Sequence, residues 1–342
     1  MSIKIGIIGY GYWGPNLVRN FSETPEFKVT WISDINPKRL ALAAARYPAI
    51  KTSADGQTLF DDPNLDAVAI ATPVSAHFEL ALRALRAGKH VFIEKPLTET
   101  VEQAERLIEE ARKRNLILQV DHTFIYTGAV RKIRDLVREG VLGDLYYYDS
   151  VRINLGLFQP DISVLWDLAV HDLSIMDYVF PAAPVAVSAT GINHVEGQPA
   201  NIAFLTVFFE NSAIAHLHVN WLAPVKMRRT LIGGSRRMVV YDDLEPSEKI
   251  KVYDKGITLN GTNGNKENIY QALIDYRSGD MWAPRLEIAE ALRVEAQGFG
   301  HSINQGEASP SDGAAGLRVV RILEAATRSL RERGNPVELA RS

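Results

Sequence analysis

The sequence predicts an α/β protein: an N-terminal doubly wound domain on a parallel sheet, then an α+β domain with a large, mostly antiparallel open sheet. Three observations carry that expectation. Roughly the first 120 residues alternate short Ile- and Val-rich runs with amphipathic stretches of helical period, as parallel strands under crossover helices do. After Asp121 the strand-like runs follow one another with turn residues between them, as hairpins do. The 342 residues exceed what one core comfortably holds, since single cores stop growing near ~250–300 residues.

In chain order, 3–8, 27–33, 67–71, 90–93 and 116–120 read as buried strands, with helices over 39–47, 76–87 and 101–114. Gly88 suits a helix C-cap, and Lys113-Arg114 suits the negative end of a helix. A helix over 128–139, a strand over 145–153 and an apolar helix over 164–180 open the second part. Strands follow at 185–192, 202–209, 213–219, 229–232, 237–241 and 250–253. Residues 256–283, with their run Asn260-Gly261-Thr262-Asn263-Gly264-Asn265, read as a long polar surface excursion. Helices over 285–305 and 312–333 close the chain, and the domains are expected at 1–122 and 123–342.

Composition excludes several classes. Hydrophobic residues at 46% and charged residues at 23% describe a globular chain rather than a disordered one. The 38 Lys+Arg against 41 Asp+Glu leave a net charge of −3, which draws neither nucleic acid nor an anionic membrane. The absence of cysteine removes disulfides, thiolate nucleophiles and Cys-ligated metals, and suits a reducing compartment. No apolar run reaches the ~18–20 residues of a membrane span, and Met1-Ser2 leads directly into Ile3-Lys4-Ile5 without a basic and apolar leader. The expected location is the cytoplasm.

Gly9-Tyr10-Gly11-Tyr12-Trp13-Gly14 is a GxGxxG between a strand and a helix. Gly9 permits the tight turn, Gly11 admits a pyrophosphate to the backbone, and Gly14 lets helix and strand pack closely. The helix N-terminus adds free N–H groups and partial positive charge. Asp34 closes the second strand, at the spacing where a carboxylate accepts from the adenosine ribose hydroxyls. It would repel a 2′-phosphate, so NAD is expected over NADP, although Lys38 and Arg39 lie close by. Tyr12, Trp13 and Arg39 join the expected cofactor contacts.

In a sheet of order 3-2-1-4-5-6, a nicotinamide lies over strands 4 and 5 when the adenosine lies over strand 2. Strand 4 ends at Ala71-Thr72-Pro73 and strand 5 at Glu94-Lys95-Pro96, so these residues, with His77, are expected beside the ring. Lys95 could steady a developing alkoxide and act on a neighbouring imidazole. The alternative is a surface lysine closing a strand. Pro96 restricts Lys95 to extended backbone and is a candidate for a cis bond. In Trp166-Asp167-Leu168-Ala169-Val170-His171-Asp172, Asp167 and His171 stand four apart, so one turn of α-helix lets the carboxylate hold the imidazole. Asp172 points about 100° away and has a separate task. A satisfied core histidine is the alternative for His171.

Together, GxGxxG, Thr72-Pro73, Glu94-Lys95-Pro96 and Asp167-x-x-x-His171 resemble the glucose–fructose oxidoreductase / inositol dehydrogenase / rhizopine-catabolism (Gfo/Idh/MocA) family over nearly the whole chain. The stretch Ser309-Pro310-Ser311-Asp312-Gly313 extends the likeness to the last helix. The resemblance implies a Rossmann domain followed by a mixed open-sheet domain, a nicotinamide cofactor and a polyol or sugar substrate. It places the family's lysine at Lys95, its histidine at His171 and its aspartate at Asp167. Asn154-Leu155-Gly156-Leu157-Phe158 and Tyr276-Arg277-Ser278-Gly279-Asp280 resemble a nucleotide-sugar and polysaccharide-biosynthesis branch, from which Val170, Thr127-Gly128 and Ala291 depart.

The expected chemistry is oxidation of a secondary sugar hydroxyl: His171, oriented by Asp167, takes the proton, and Lys95 steadies the oxygen. Lys95 and His171 titrate as a coupled pair on this reading. His122, Tyr126 and Asn154 are the further candidates for substrate contact; packing roles for the first two and a turn role for Asn154 are the alternatives. The same lysine and histidine also suit an inositol or free-sugar dehydrogenase, or a glycoside hydrolase with transient C3 oxidation. A non-catalytic NAD/sugar sensor has no need of all three of Lys95, Asp167 and His171. His216 and His218 share a strand face but lack further ligands at a convincing spacing, so no metal is expected. Lys226, Arg228, Arg229, Arg236 and Arg237 span a hairpin that could meet a diphosphate, a solvated face or another subunit. The alternating apolar residues of 203–209 and 214–221 suggest a homodimer or homotetramer formed through the C-terminal sheet.

Overall fold

A computed structural model describes residues 2–156, 162–259 and 274–340. The chain forms two units, Met1–Thr127 with Ala289–Glu324, and Gly128–Ile288 with Ala325–Ser342.

The first unit is a six-stranded parallel sheet of order β3-β2-β1-β4-β5-β6. Its strands are β1 (Ile3–Ile8), β2 (Phe27–Ser33), β3 (Lys51–Ser53), β4 (Ala67–Ile70), β5 (His90–Glu94) and β6 (Leu118–Asp121). Between them run α1 (Gly14–Glu23), α2 (Pro37–Arg46), α3 (Gln57–Asp61), α4 (His77–Arg86) and α5 (Val101–Arg114). Local chemistry sets their ends. The Asn36 side chain accepts from the Lys38 N–H to start α2, and Thr100 accepts from the Gln103 N–H to start α5. Asn115, in the left-handed region at φ 54°, stops α5.

The segment 289–324, expected in the second domain, belongs to this unit. The reason is α8 (Ala291–Gln305), which sets Leu292, Ala296 and Phe299 into the same core as Phe21, Phe27 and Phe92. Phe299 stacks on Phe27 at 5.9 Å between ring centroids and meets Phe92 edge-on at 5.5 Å. The helix expected over 285–305 therefore begins only at Ala291, after the extended Glu290.

The second unit carries a nine-stranded sheet of order β16-β13-β12-β11-β7-β10-β9-β8-β17. Its strands are β7 (Leu145–Leu155), β8 (Pro184–Ile192), β9 (Ile202–Phe209), β10 (Ile214–Asn220), β11 (Leu222–Gly234), β12 (Met238–Asp242), β13 (Ile250–Tyr253), β16 (Met281–Trp282) and β17 (Val337–Glu338). Every pairing is antiparallel except β7 with β10. A small two-stranded sheet, β14 (Gly256–Leu259) with β15 (Ile274–Arg277), stands within the stretch expected as a long surface excursion; residues 260–265 lie outside the described residues. Helices α6 (Gly128–Arg138) and α7 (Val170–Val179) belong to this unit, and α9 (Gly313–Arg331) contributes to both. The single helix expected over 164–180 is instead one π turn, Leu165–Ala169, followed by α7. An added residue in a turn breaks the 3.6-residue period on which the sequence reading rested.

Candidate active site

The phosphate loop leaves β1 through a turn only glycine can make. Gly9 has φ +96°, and a Cβ there would lie 2.4 Å from the Ala71 carbonyl oxygen. A Cβ on Gly14 would lie 2.1 Å from the Gly9 carbonyl oxygen. At Gly11 the nearest atom belongs to the mobile end of Arg39, at 3.4 Å, so backbone is open to approach there. Asp34 is buried; its carboxylate accepts from the Tyr10 N–H and the Asn36 N–H, each at 2.7 Å, with an Arg39 Nη1 3.6 Å away. Two lone pairs per oxygen leave acceptor capacity for ribose hydroxyls. Tyr12 is almost fully exposed, whereas the Trp13 indole N–H donates to Asp121 Oδ2 at 2.6 Å.

At the carboxyl ends of β4, β5 and β6, the same unit gathers polar atoms without protein partners. The Thr72 hydroxyl and both ring nitrogens of His122 are buried and unbonded. Burial first, then the Lys95 charge, pushes the His122 imidazole down to about 3, so it is neutral. His77 differs: its Nδ1 meets the Pro96 carbonyl and its Nε2 the Thr72 carbonyl, both at 2.9 Å. Two carbonyls favour an imidazolium, but burial outweighs them and lowers the pKa, with Lys95 adding to the effect. His77 thus staples the turns after β4 and β5 rather than standing solvated at a helix start. Lys95, with a cis bond to Pro96, sits within electrostatic reach of both imidazoles. Glu94 pairs in register with Asp121. The Tyr126 hydroxyl is buried and bonded to Ser309 Oγ at 2.8 Å and Ser311 Oγ at 2.9 Å, a packing role.

In the second unit Asp167 lies in the π turn, and its Oδ2 accepts from the Trp221 indole N–H at 3.1 Å. The fully buried Trp221 also packs on the end of β7: a Cβ on Gly156 would lie 2.3 Å from its ring, and its carbonyl accepts from the Gly156 N–H at 2.9 Å. His171 is half-buried in the first turn of α7. Asp172 has its own partner, as the sequence suggested: Arg152 Nε at 3.0 Å and Nη2 at 2.9 Å grip both its oxygens, out of solvent. Asn154 is half-buried on β7; Leu157 and Phe158 lie outside the described residues. His216 and His218 stack on Phe204, and His216 also pairs with Asp149 at 3.5 Å. No group of three or more potential metal ligands occurs among the described residues. In the basic hairpin, Arg228 pairs with Asp243 and Arg237 with Asp254, each at 3.1 Å.

Sequence reasoning passed over Trp221, Arg152, Asp121 and Glu295. Only Glu295 left a local signal: it falls among Leu292, Ala296 and Phe299 at helical spacing, an acid on an apolar face.

The glycine turns, the ribose-side carboxylate and the unbonded polar atoms over β4 to β6 fit a dinucleotide, and this sheet order with that loop defines a dinucleotide-binding Rossmann protein. Comparison with known proteins gives the family. Residues 3–122 match the oxidoreductase family with an NAD-binding Rossmann fold, Gfo/Idh/MocA, and residues 130–240 match a C-terminal domain of that family. The chain belongs to it. The uncharacterized oxidoreductase YdgJ of Escherichia coli is 30% identical over 261 residues, 72% of this chain and 73% of that protein. UDP-N-acetylglucosamine 3-dehydrogenase of Acidithiobacillus ferrooxidans is 29% identical over 93% of this chain and 94% of its own. A solved structure of that enzyme superposes with TM-score 0.79 at 26% identity, covering 97% and 99% of the two chains. Levoglucosan dehydrogenase in complex with NADH shares the fold, with TM-score 0.83, 21% identity and full coverage of both chains. The matched family domain is NAD-binding, so NAD is the cofactor. No helix among the described residues is long and apolar enough to cross a membrane.

Proposed function

We propose that this oxidoreductase moves a hydride between a secondary hydroxyl of a sugar, within a nucleotide sugar, and NAD. The observation that carries the reading is the setting of Lys95: an ammonium at the end of β5, beside neutral imidazoles and unbonded polar atoms, on the side of the sheet where a nicotinamide lies. The likeness to UDP-N-acetylglucosamine 3-dehydrogenase over nearly the full length supports the substrate class. NAD, when bound, supplies the hydride acceptor. His171 takes the hydroxyl proton and returns it in the reverse direction. Lys95 orients the hydroxyl and stabilises negative charge on its oxygen. Asp167, fixed by Trp221, orients the histidine. Asn154 and His122 are the further substrate contacts on this reading.

The test is Lys95→Ala and His171→Ala, assayed on UDP- and dTDP-sugars, inositols and free hexoses. Each variant is expected to keep NAD binding and lose at least ~100-fold in kcat, the scale of an acid–base or oxyanion group. Near wild-type turnover in either would overturn the assignment. Release of a free aglycone without net NADH would indicate a glycosidase, and NAD binding with no oxidation of any sugar would indicate a sensor.

On the same reading the enzyme works in the cytoplasm, and copies of the chain pair through the exposed sheet face. That face presents Phe204, Ile214 and Met227, with Tyr147 in register beside Ile214. Size-exclusion chromatography giving a monomer at micromolar concentration would overturn the pairing.

A further inference from the structure

Two buried acids lie side by side under the dinucleotide loop. Asp121 ends β6, and Glu295 is the fully buried acid on the apolar face of α8. The strongest influences on them are burial, Trp13, Thr123, the His122 backbone, Glu94 and each other, and none of these is a cation. Burial raises the Asp121 carboxyl, and its hydrogen bonds work against that rise: one oxygen accepts from the Trp13 indole N–H at 2.6 Å, the other from the Thr123 hydroxyl. Glu295 is the reverse: neither oxygen has a donor in hydrogen-bond geometry, and the His122 backbone gives its charge only a minor favourable influence. Ionised, it would be a bare charge facing a second carboxylate in a dry core. With a proton it becomes the donor to Asp121, and the contact between the acids becomes a hydrogen bond.

We propose that Glu295 is a positioning residue of the NAD site: it carries one proton, donates it to Asp121, and thereby keeps Asp121 as the acceptor that fixes Trp13 in the phosphate loop. The proposal concerns the cofactor site and is independent of which sugar is oxidised. The geometry gives the clamp a purpose. In the sheet, β4 and β5 lie between β1 and β6, so an indole that starts in the loop after β1 and ends on Asp121 crosses their carboxyl ends. Thr72, Lys95 and His122 gather on that same edge. Burial, then the charge of Asp121 and the hydrogen bond shared with it, hold the Glu295 carboxyl well above its ordinary range, and Glu94 from β5 adds to the effect. Gln119 reaches α8 too, but through the Glu295 carbonyl, at 3.4 Å. Alkali, by removing the proton, sets two carboxylates against each other and releases the indole.

The experiment compares wild type, E295Q, E295A and W13F, measuring NAD affinity calorimetrically and the tryptophan emission of the cofactor-free protein from about pH 6 to about pH 10. Wild type should lose about tenfold in NAD affinity on the alkaline side, the scale of one hydrogen bond to a charged group. An emission change absent from W13F should accompany that loss. Glutamine donates an N–H to Asp121 without titrating, so E295Q should rescue the neutral-pH affinity and hold it through alkali, while E295A binds weakly throughout. Wild-type affinity that does not change with pH, or an E295Q that follows the wild-type alkaline loss, would overturn the proposal. If E295A does not fold, wild type against E295Q still decides. Neither failure would touch the oxidoreductase reading, which the Lys95 and His171 variants test.

Discussion

The two units bury acids in opposite ways. In the second, Asp172 is gripped by the guanidinium of Arg152, which holds both its oxygens out of water. In the first, the strongest influences on Asp121 and Glu295 are burial, each other, Glu94 and neutral donors, so on our proposal a proton takes the place of the cation. An arginine brings a fixed charge and a planar fork that suits one geometry; a shared proton brings a charge that solvent can take away. The lesson is that two equally buried carboxylates can differ completely in how pH reaches them.

The largest effect that would break this contrast is expected at Arg152. Arg152→Met leaves Asp172 buried without its cation and should cost about 3–5 kcal/mol in urea unfolding. A double Arg152→Met/Asp172→Leu variant should recover most of that loss, because an apolar pair carries no desolvation penalty. A pH series sharpens the contrast. For Glu295 the folded pKa is raised, so its contribution is complete below the ordinary carboxyl pKa of about 4.3 and fades as pH climbs toward the raised value. For His122 the folded pKa is about 3; its contribution is complete above the ordinary value of about 6.5 and fades as pH falls through that window. Calorimetric Tm against pH should therefore decline on both flanks in wild type, and Glu295→Gln should flatten the alkaline flank alone. Trp221→Phe removes one donor from Asp167; a stability loss of about 0.5–1.5 kcal/mol is expected, with lower kcat and unchanged NAD affinity. The smallest effect is at the surface. Arg19 draws the Glu290 carboxyl down to about 2, yet both side chains are over a third exposed, so Arg19→Ala should cost less than about 1 kcal/mol by thermal unfolding.

What the sequence made legible follows the range of the forces involved. The alternation of apolar runs and helical periods is local, and it predicted the strands of the first unit's sheet other than the three-residue β3, the glycine turn and the place of Asp34 at the end of β2. Lys95 was legible at the carboxyl end of β5 because the strand order alone puts it there. The π turn was not, since one extra residue shifts the helical period without changing composition. The carboxyl pair was out of reach for another reason: Asp121 and Glu295 meet only after a helix from the far end of the chain returns to the first sheet. An apolar face on α8 states that it will be buried, not against which sheet. The Trp221 to Asp167 contact, which joins a strand end to a distant turn, is hidden in the same way.

That return of α8 bears on how the protein is made. The aromatic cluster of Phe21, Phe27 and Phe92 is completed by Phe299, so the ribosome must deliver Gly128–Ile288 of the second unit before the first can close its core. The part of the polypeptide that is translated first waits for a helix made more than 160 residues later than β6, and until then its apolar flank has no native cover.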